Sequence, residues 1–466
     1  MLVPRTRLLL FTAAVLVPFG GISALVPEAA LVSFLLMGLF LVLALMDGVL
    51  AFGSLDGISV DLPKVTRLSK DRAAELELLV RNKPGRAKEV RLGLPLPREV
   101  PSAQDDITAL LPENSRLSRV RWACLPVRRG RFRIERCHLE GASPLGFWSV
   151  RGAAPVDSEL RVYPNLFDER GTVSALFLRR GALGAHAQRQ VGKGREFEKL
   201  REYVPGDGFD EIHWKATAKR GHPITKVFQI ERTQEVYVIV DASRLSARQE
   251  FMNSKFKIQN SKLLTVEAQL ETQNPKPETS VLERYLTAAL VLGIAAEQQG
   301  DLFGLLTFSD RVHKFIRAKN GRDHYSSCRD AIYTLQPQLV SPDFDELATF
   351  IRLHLRRRAL LVVLTALDDP LLAEQFTRSL DLYSRQHLVL VNMMQPPGAQ
   401  PLFSDSSVGS LDDVYQRLGG HVLWHNLREL DKTLKRRGVQ FTMLENERLC
   451  AQLVTNYLSV KRRQLI

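Results

Sequence analysis

Apolar positions fall into three regimes along this chain. Residues 8–26 run for 19 positions without a charge, and residues 29–46 for 18. At ~1.5 Å per residue, each run reaches across the ~30 Å hydrocarbon core of a bilayer. Only Pro27-Glu28 separates them, so residues 1–50 predict a transmembrane helical hairpin with both ends on one side. Over 57–165 the apolar residues alternate with polar ones. Stretches 74–80, 90–96, 116–127 and 131–139 read as short strands, the last two parted by a turn at Arg129-Gly130. Such strands with Pro/Gly punctuation predict a small β-sandwich. From 235 the period changes again. Val236–Val240 is nearly continuous apolar, as a strand buried on both faces requires, and 282–296 is an apolar helix. Strands follow at 302–308, 312–316, 360–364, 388–391 and 439–444, with helices at 344–355 and 445–461. Strands alternating with helices over 235–466 predict an α/β doubly wound sheet.

Residues 166–234 join the second regime to the third, with a Gly/Ala-rich patch at 181–187. Residues 246–282 interrupt the third between its first strand and helix, where a short loop is the rule. This insertion is polar, ends in Gln-Asn-Pro-Lys-Pro-Glu-Thr, and carries spaced apolar residues over 251–270 that suit a short helix. It reads as a tolerated surface insertion; a partner-binding element above the sheet is the alternative.

Charge adds a side to the hairpin. The chain has 466 residues and a formal net charge of +13. Arg5 and Arg7 precede the first apolar run and nothing basic lies in the turn, so the positive-inside rule puts the N-terminus and the main body in the cytoplasm, with the hairpin multi-pass in the inner membrane. A cleaved secretory leader is the competing reading of the first run, but the small-residue cleavage pattern over 20–30 is poor. Basic runs at Arg356-Arg357-Arg358 and Lys461-Arg462-Arg463 lack interleaved aromatics. Contact with anionic lipid headgroups therefore accounts for the charge more simply than nucleic acid does. Cys124, Cys137, Cys328 and Cys450 show no metal or redox spacing and read as reduced thiols, with a Cys124–Cys137 bridge left open.

The densest chemistry lies at 194–220: Gly-Arg-Glu-Phe-Glu-Lys-Leu-Arg-Glu-Tyr-Val-Pro-Gly-Asp-Gly-Phe-Asp-Glu-Ile-His-Trp-Lys-Ala-Thr-Ala-Lys-Arg. This stretch resembles the signature of a bacterial family, domain of unknown function fifty-eight. The turns Val127-Arg128-Arg129-Gly130-Arg131-Phe132 and Ser143-Pro144-Leu145-Gly146-Phe147 resemble it too, with Ser143 where the family has an acid. The resemblance implies a von Willebrand factor A-like domain and a MoxR-type AAA+ ATPase as partner. It also implies a non-enzymatic adaptor or scaffold role in protein remodelling or envelope maturation, with the client undetermined. The signature then has two readings. In one, Phe197, Leu200, Tyr203 and Trp214 pack beneath the sheet while Arg195, Glu196, Arg201 and Asp207 pair or cap turns, and Gly206 belongs to a plain turn. In the other, these residues form the partner-docking surface. Asp210 and Glu211 stand where the family has Arg, and His213 where it has Asp, so a docking face here carries altered signs.

Asp241 ends the first sheet strand, at the carboxyl edge where such sheets bind ligands. In von Willebrand factor A domains this position opens a metal-ion-dependent adhesion site of hard oxygen ligands suited to Mg²⁺. Asp241 and Ser243 fit that pattern. Leu245 replaces the second Ser, Ser341 alone offers a hydroxyl at the Thr position, and Thr365-Ala366-Leu367 occupies the last Asp position, ahead of Asp368 and Asp369. The match is partial, which implies a degenerate site with Asp241 capping a turn or helix, and no cofactor; a working Mg²⁺ site on Asp241, Ser243 and Ser341 is the alternative. A metal-dependent hydrolase using Glu196, Asp207, Asp210 and His213 is the enzymatic alternative, although their spacing makes no helical ligand pair. A nucleic-acid-binding membrane protein is the third reading. No Gly-x-Ser-x-Gly elbow, P-loop or post-strand Gly-x-Gly-x-x-Gly occurs.

Overall fold

The computed structural model describes residues 1–82, 88–112, 116–167, 169, 191–204, 208–229, 234–250, 279–402, 404 and 410–463. The chain divides into two compact units. One comprises Met1–Asn165 with Lys255–Pro277, the latter outside the described residues. The other comprises Leu166–Ser254 with Glu278–Ile466.

The first unit opens with a short strand, β1 (Leu2–Pro4), then helices α1 (Thr6–Leu25) and α2 (Ala30–Ala51), joined by a single 3-10 turn at Pro27–Ala29. Both helices are long and apolar enough to cross a membrane. Their leucines, valines and phenylalanines mostly face outward, as lipid-facing positions do. Strands β2 (Ser59–Asp61), β3 (Val65–Ser69), β4 (Ala74–Arg81), β5 (Lys88–Gly93), β6 (Ile107–Leu111), β7 (Leu117–Cys124), β8 (Gly130–Ala142) and β9 (Trp148–Tyr163) follow. They form a sheet ordered β1-β9-β8-β5-β6, with β3 alongside β9, and a second sheet ordered β2-β4-β7. The two sheets share one core. Leu76, Leu78 and Val80 of β4 and Trp122 of β7 meet Val90, Leu92, Ile134, Leu139, Leu160 and Val162 of the larger sheet. Glu75 and Glu77 point the other way, as a two-residue period demands. Cys124 and Cys137 lie in this core as free thiols, so no bridge joins them; burial pushes each up to about 11.

Strand β9 is the longest in the unit, and its hydrophobic pattern does not announce it. Its inward positions include Ser149, Ala154 and Ser158, and Pro155 stands inside it. The pairing tolerates the proline because the register with β8 shifts between Ile134 and Arg136, opposite Pro155.

One carboxylate ties the hairpin to this sheet. Asp47, near the end of α2, is fully buried. It accepts hydrogen bonds from the Ser143 hydroxyl (2.6 Å), the Leu145 amide (2.8 Å) and the Phe147 amide (3.2 Å). The Ser143 oxygen in turn accepts from the Trp148 amide (3.0 Å), and the Trp148 indole donates to the Ala44 carbonyl (2.8 Å). Gly48 allows this approach, since a Cβ there would sit 3.3 Å from the Trp148 indole nitrogen. The α1 side is stitched as well. β1 pairs antiparallel with the start of β9, the Arg5 amide donates to the Phe147 carbonyl (2.9 Å), and the Met1 ammonium donates to the Arg151 carbonyl (2.8 Å). The Ser143–Phe147 turn is thus a receptor for the helix end. Ser143 presents a donor to an acid supplied from 96 residues upstream.

The second unit carries a six-stranded sheet. Its strands are β12 (Glu235–Asp241), β15 (Leu302–Phe308), β16 (Val312–Lys319), β17 (Leu360–Leu364), β18 (Leu388–Met394) and β19 (Gln440–Leu444), in the order β16-β15-β12-β17-β18-β19. All neighbours are parallel except the β15–β16 edge pair. Two further short pairs complete the strand set: β10 (Val191–Glu202) with β11 (Ile224–Gln229), and β13 (Gln249–Glu250) with β14 (Thr279–Ser280). The β13–β14 pair closes the neck of the insertion. The helix expected over 251–270 lies outside the described residues.

Helices cover both faces of the sheet. Besides α3 (Trp214–Arg220), they are α4 (Val281–Gln298), α5 (Arg322–Ile332), α6 (Phe344–His354), α7 (Pro370–Leu380), α8 (Leu411–Arg436) and α9 (Leu449–Arg462). Val236, Val238 and Val240 pack against α4, α5 and α9, while Tyr237 and Ile239 pack against α6, α7 and α8. The closing helix starts at Leu449 rather than 445, after a 3-10 turn at Asn446–Arg448. It is pinned at Asp301, fully buried, to which the Tyr457 hydroxyl donates and the Lys461 ammonium donates at 2.8 Å. The 26-residue α8 is absent from the pattern-based expectation because its apolar residues do not form one stripe.

The clamp gives a stability test. Asp47→Ala leaves three donors without their acceptor, and a buried hydrogen-bonding group left unmade costs ~1–3 kcal/mol. We expect a fall of several degrees in the thermal midpoint of the purified chain in detergent, with Ser143→Ala giving a smaller fall. An unchanged midpoint for Asp47→Ala would show that the clamp adds nothing.

Candidate functional site

The carboxyl ends of β12, β15 and β17 converge on Asp241. The residue is fully buried, and both of its oxygens are used. Oδ1 accepts from the Ser243 amide (2.8 Å) and Oδ2 from the Thr365 hydroxyl (2.6 Å). Burial raises the carboxyl above the usual carboxylate range, against the pull of the bonds from Thr365 and Ser243. Ser243 caps the next turn, its hydroxyl accepting from the Leu245 amide (3.3 Å). Leu245, in the place of a second Ser, turns into the core beside Phe344 and the α6 face. Ser341 does not meet Asp241. Its hydroxyl accepts from Arg244 Nε (3.1 Å), and the Arg244 amide donates to the Val340 carbonyl (2.9 Å). Asp368 pairs with Arg248, and Asp369 caps α7 by accepting from the Leu371 amide (2.9 Å).

The sequence pattern therefore assembles differently in space. Asp241 and Ser243 come together as the strand-end motif predicts. The hydroxyl that joins them belongs to Thr365, not Ser341, and the later acid Asp368 faces an arginine. Among the described residues, no group of three or more His, Cys, Asp and Glu side chains is arranged to hold a metal ion.

A second polar cluster sits one strand away. The Ser309 hydroxyl lies 2.7 Å from Asp310 Oδ1, 2.7 Å from His313 Nε2 and 3.1 Å from Gln338 Oε1. It resembles a nucleophile beside its base, but Ser309 is fully buried and the carboxylate is on the hydroxyl rather than on the far ring nitrogen. The pattern of a triad, with the acid orienting the imidazole, is not met. The Ser309 bond holds Asp310 below the usual carboxylate range.

The signature forms a separate ribbon. Strands β10 and β11 pair antiparallel, with Glu196 opposite Gln229, Phe197 opposite Phe228, Leu200 opposite Lys226 and Arg201 opposite Thr225. Gly206 and Asp207 lie outside the described residues, and of Arg195, Glu196 and Phe197 only the strand backbone is described. Between the strands stands α3. His213 caps it, its Nδ1 accepting from the Ala216 amide (3.0 Å). The imidazole does here what a Ser, Thr, Asn or Asp side chain does at a helix N-cap. Gly221, at φ 76°, ends the helix in the left-handed region. The Thr217 hydroxyl accepts from the Ile224 amide (3.0 Å), which fixes the helix to β11. Ile212 and Ile224 are buried beneath it, while Tyr203 is half-buried, its amide donating to the Pro223 carbonyl (3.0 Å). Trp214 is 67% exposed and Phe209 77%. Neither packs. Lys215, Ala218 and Lys219 share the exposed face of α3 with Trp214, and Arg220 and His222 follow it.

The family model described as protein of unknown function DUF58 matches residues 199–276 and 260–402. Over these residues, somewhat less than half of the chain, the sequence is similar to the DUF58 family. The DUF58 region thus takes in most of the ribbon, α3, the Asp241 network and the sheet as far as β18. Solved structures show only distant likeness. An aerotolerance-related membrane protein from Bacteroides fragilis is 11% identical, with 49% of this chain and 99% of that one covered at a TM-score of 0.28. The conserved hypothetical protein BatB from Bacteroides thetaiotaomicron is 13% identical, with 49% and 99% covered at 0.27. Proximal thread matrix protein 1 from the mussel byssus is 11% identical, with 48% and 45% covered at 0.24. Comparison with the curated proteins gives no match.

The Asp241 geometry predicts a pH signature. The folded carboxyl holds its proton to higher pH than the unfolded chain does. Above about pH 4, where an unperturbed Asp ionises, the unfolded state therefore binds fewer protons and stability falls as pH rises toward the folded value. Asp241→Asn keeps an acceptor for Ser243 and puts an amide against Thr365. We expect this variant to be at least as stable as wild type at pH 7, with the difference shrinking toward pH 4, read by thermal melts of the purified protein. A large loss at pH 7 would show that the charge itself is needed.

Proposed function

We propose that this protein is a non-enzymatic docking protein, anchored in the inner membrane with its main body in the cytoplasm. In this reading the signature ribbon receives a MoxR-type AAA+ ATPase, and the ATPase supplies the work of remodelling or envelope maturation. The observation that carries the reading is the exposed face of α3. Large aromatic side chains left in water, with arginine near them, are the composition of interface anchors rather than of a core. Trp214 meets that description, on one helix face with Lys215 and Lys219 and close to Arg220, and Phe209 is exposed in the turn ahead of the helix.

The sheet unit fits the von Willebrand factor A-like reading through its strand order, its single antiparallel edge and the acid at the end of its central strand. It does not fit a working adhesion site. Mg²⁺ needs oxygen ligands in a near-ideal octahedron with open positions. Both Asp241 oxygens already have protein donors, and Arg248 faces Asp368. We therefore take docking in this member to be independent of metal. The sidedness rests on two points. Arg5 and Arg7 favour the cytoplasm, and β1 pairs with β9 in the same sheet, so the two ends of the hairpin share a side.

Affinity capture of the full-length protein from native membranes after crosslinking tests the proposal. We expect a AAA+ ATPase with wild type, and roughly tenfold less with Trp214→Ala or Phe209→Ser, as loss of an interface anchor worth ~1.4 kcal/mol or more implies. Recovery unchanged in both variants would move the docking face elsewhere. Wild-type capture without any ATPase would overturn the partner.

A further inference from the structure

The six-stranded sheet separates its charges by edge, and cations gather at the amino ends of its parallel strands. The turn ahead of β17 carries Arg356, Arg357 and Arg358, all exposed. Arg357 reaches Glu235, the first residue of β12 (3.9 Å). The Gln386 side-chain amide donates to the Leu355 (3.3 Å) and Arg356 (2.9 Å) carbonyls, which brings the turn after α7, with Arg385, against the same place. Lys319, at the end of β16, stands opposite Phe303, near the start of β15. The Lys461 ammonium, at the end of α9, donates to Asp301 (2.8 Å) and to the Gln299 carbonyl (2.9 Å), just ahead of β15. Arg437, ahead of β19, donates to Asp381 at the end of α7 (2.5 Å). The two basic runs, far apart in sequence, thus lie along one edge.

The carboxyl edge carries the opposite sign. Asp343, Asp345 and Glu346 open α6, Asp369 opens α7, and Asp412 and Asp413 open α8. Helix dipoles favour part of this division, since acids suit helix starts and cations suit helix ends. They do not account for the rest. Arg317 and Lys319 stand on a strand, Arg385 sits in a turn, and Arg322 opens α5, a helix whose start lies at the amino edge. Across the edge segments 317–323, 352–360, 378–388, 432–440 and 459–463, Lys and Arg far outnumber Asp and Glu.

Such an edge suits a polyanion, and its apolar residues indicate which. Leu353 and Leu382 are 64% and 47% exposed among the arginines. Among the described residues, the large apolar side chains exposed there are these leucines, not the aromatics on which nucleic-acid bases stack. Cations around exposed leucines suit the headgroup layer of an anionic bilayer. An exposed leucine also stands at the carboxyl edge, Leu371, but between Asp369 and Glu374, which such a bilayer repels. Helices α1 and α2, long and apolar enough to cross a membrane, give the chain a bilayer to lie against.

We propose that the amino edge of the sheet rests on anionic phospholipid headgroups, held by the arginines of 352–358 and by Arg385, with Leu353 and Leu382 entering the interface. This surface presupposes the membrane-anchored reading above and is independent of any ATPase. Each Lys or Arg within a Debye length of the lipid, about 8 Å at physiological salt, adds to the attraction. The carboxyl edge, with Asp241 and the acidic helix starts, is then turned away from lipid.

Fluorescence of the full-length protein in lipid nanodiscs tests the surface. The four native thiols are buried, so a bimane label goes to an introduced cysteine, Leu353→Cys at the amino edge or Leu371→Cys at the carboxyl edge. In discs of equal parts phosphatidylcholine and phosphatidylglycerol, the Leu353→Cys probe should shift to shorter wavelength and become shielded from acrylamide. In discs of phosphatidylcholine alone it should do neither. Salt near 1 M, where the Debye length falls to about 3 Å, should reverse the shift. The Leu371→Cys probe should stay unshifted throughout. Arg356→Glu, Arg357→Glu and Arg358→Glu combined should abolish the shift with unchanged circular dichroism, and so should Arg352→Glu with Arg385→Glu, which stand on other elements. An equal shift in both kinds of disc would overturn the role of the cations. No shift in either, with the protein co-eluting with the discs, would overturn the surface and leave the anchored reading standing. Protein that never enters the discs would overturn that reading and the surface with it. Shielding by added polyuridylate but not by anionic discs would assign the edge to nucleic acid instead.

Discussion

A carboxylate sealed from water must be met by a cation or by hydrogen bonds, and which of these it receives decides what the surrounding site can do. At Asp241 the chain supplies bonds. The Ser243 amide and the Thr365 hydroxyl take the two oxygens, and Leu245 closes the loop over them by entering the core. The strand ends are locked together as a result. The Ala242 amide reaches the Phe308 carbonyl, the Gln338 amide reaches the Ala242 carbonyl, and the Asp343 amide reaches the Ser309 carbonyl. The carboxyl edge of the sheet, where an open coordination position would be needed to hold a metal ion, is here a finished piece of protein interior. That moves attention from the carboxyl edge to surfaces that are unfinished: the exposed aromatic face of α3 and the cationic amino edge of the sheet.

The same solution recurs in the first unit. Asp47 is buried at the end of an apolar helix, and a turn gathers three donors around it. A helix end normally leaves backbone groups unpaired. Here its neighbourhood is organised by a side chain that reaches into the adjoining sheet. The reach is short because residue 48 is glycine, and the tryptophan that would collide with a larger residue donates to the helix instead.

Much of this architecture is written locally and some of it is not. Strand β4 is legible because Leu76, Leu78 and Val80 alternate with Glu75 and Glu77. Strand β12 and helix α4 are legible because burial on all sides requires unbroken apolar runs. Strand β9 is hidden, since its inward residues include serines and alanine and Pro155 argues against a strand until the bulge beside it, in β9 itself, is known. Helix α8 is hidden for another reason. Its apolar residues belong to two faces in its two halves, so no single period describes it. At the site, the position of Asp241 follows from the end of a strand, and Ser243 follows from the local motif. The role of Thr365 does not, because the hydroxyl meets its carboxylate across 124 residues, and a one-dimensional motif assigns that place to an acid. Asp47 and Ser143 are equally invisible to each other in sequence.

The stitching of the hairpin also sets an order of events in synthesis. Helices α1 and α2 leave the ribosome with Asp47 exposed at the end of an apolar segment and β1 without a neighbour. Their partners, Ser143 through Arg151, follow about a hundred residues later, on the order of 5–20 seconds at ordinary elongation rates. The hairpin must therefore be delivered to its apolar surroundings before the contacts that orient it exist. Closure of the sheet on β1 and Asp47 is then a late event of high contact order, taking place on helices already in position.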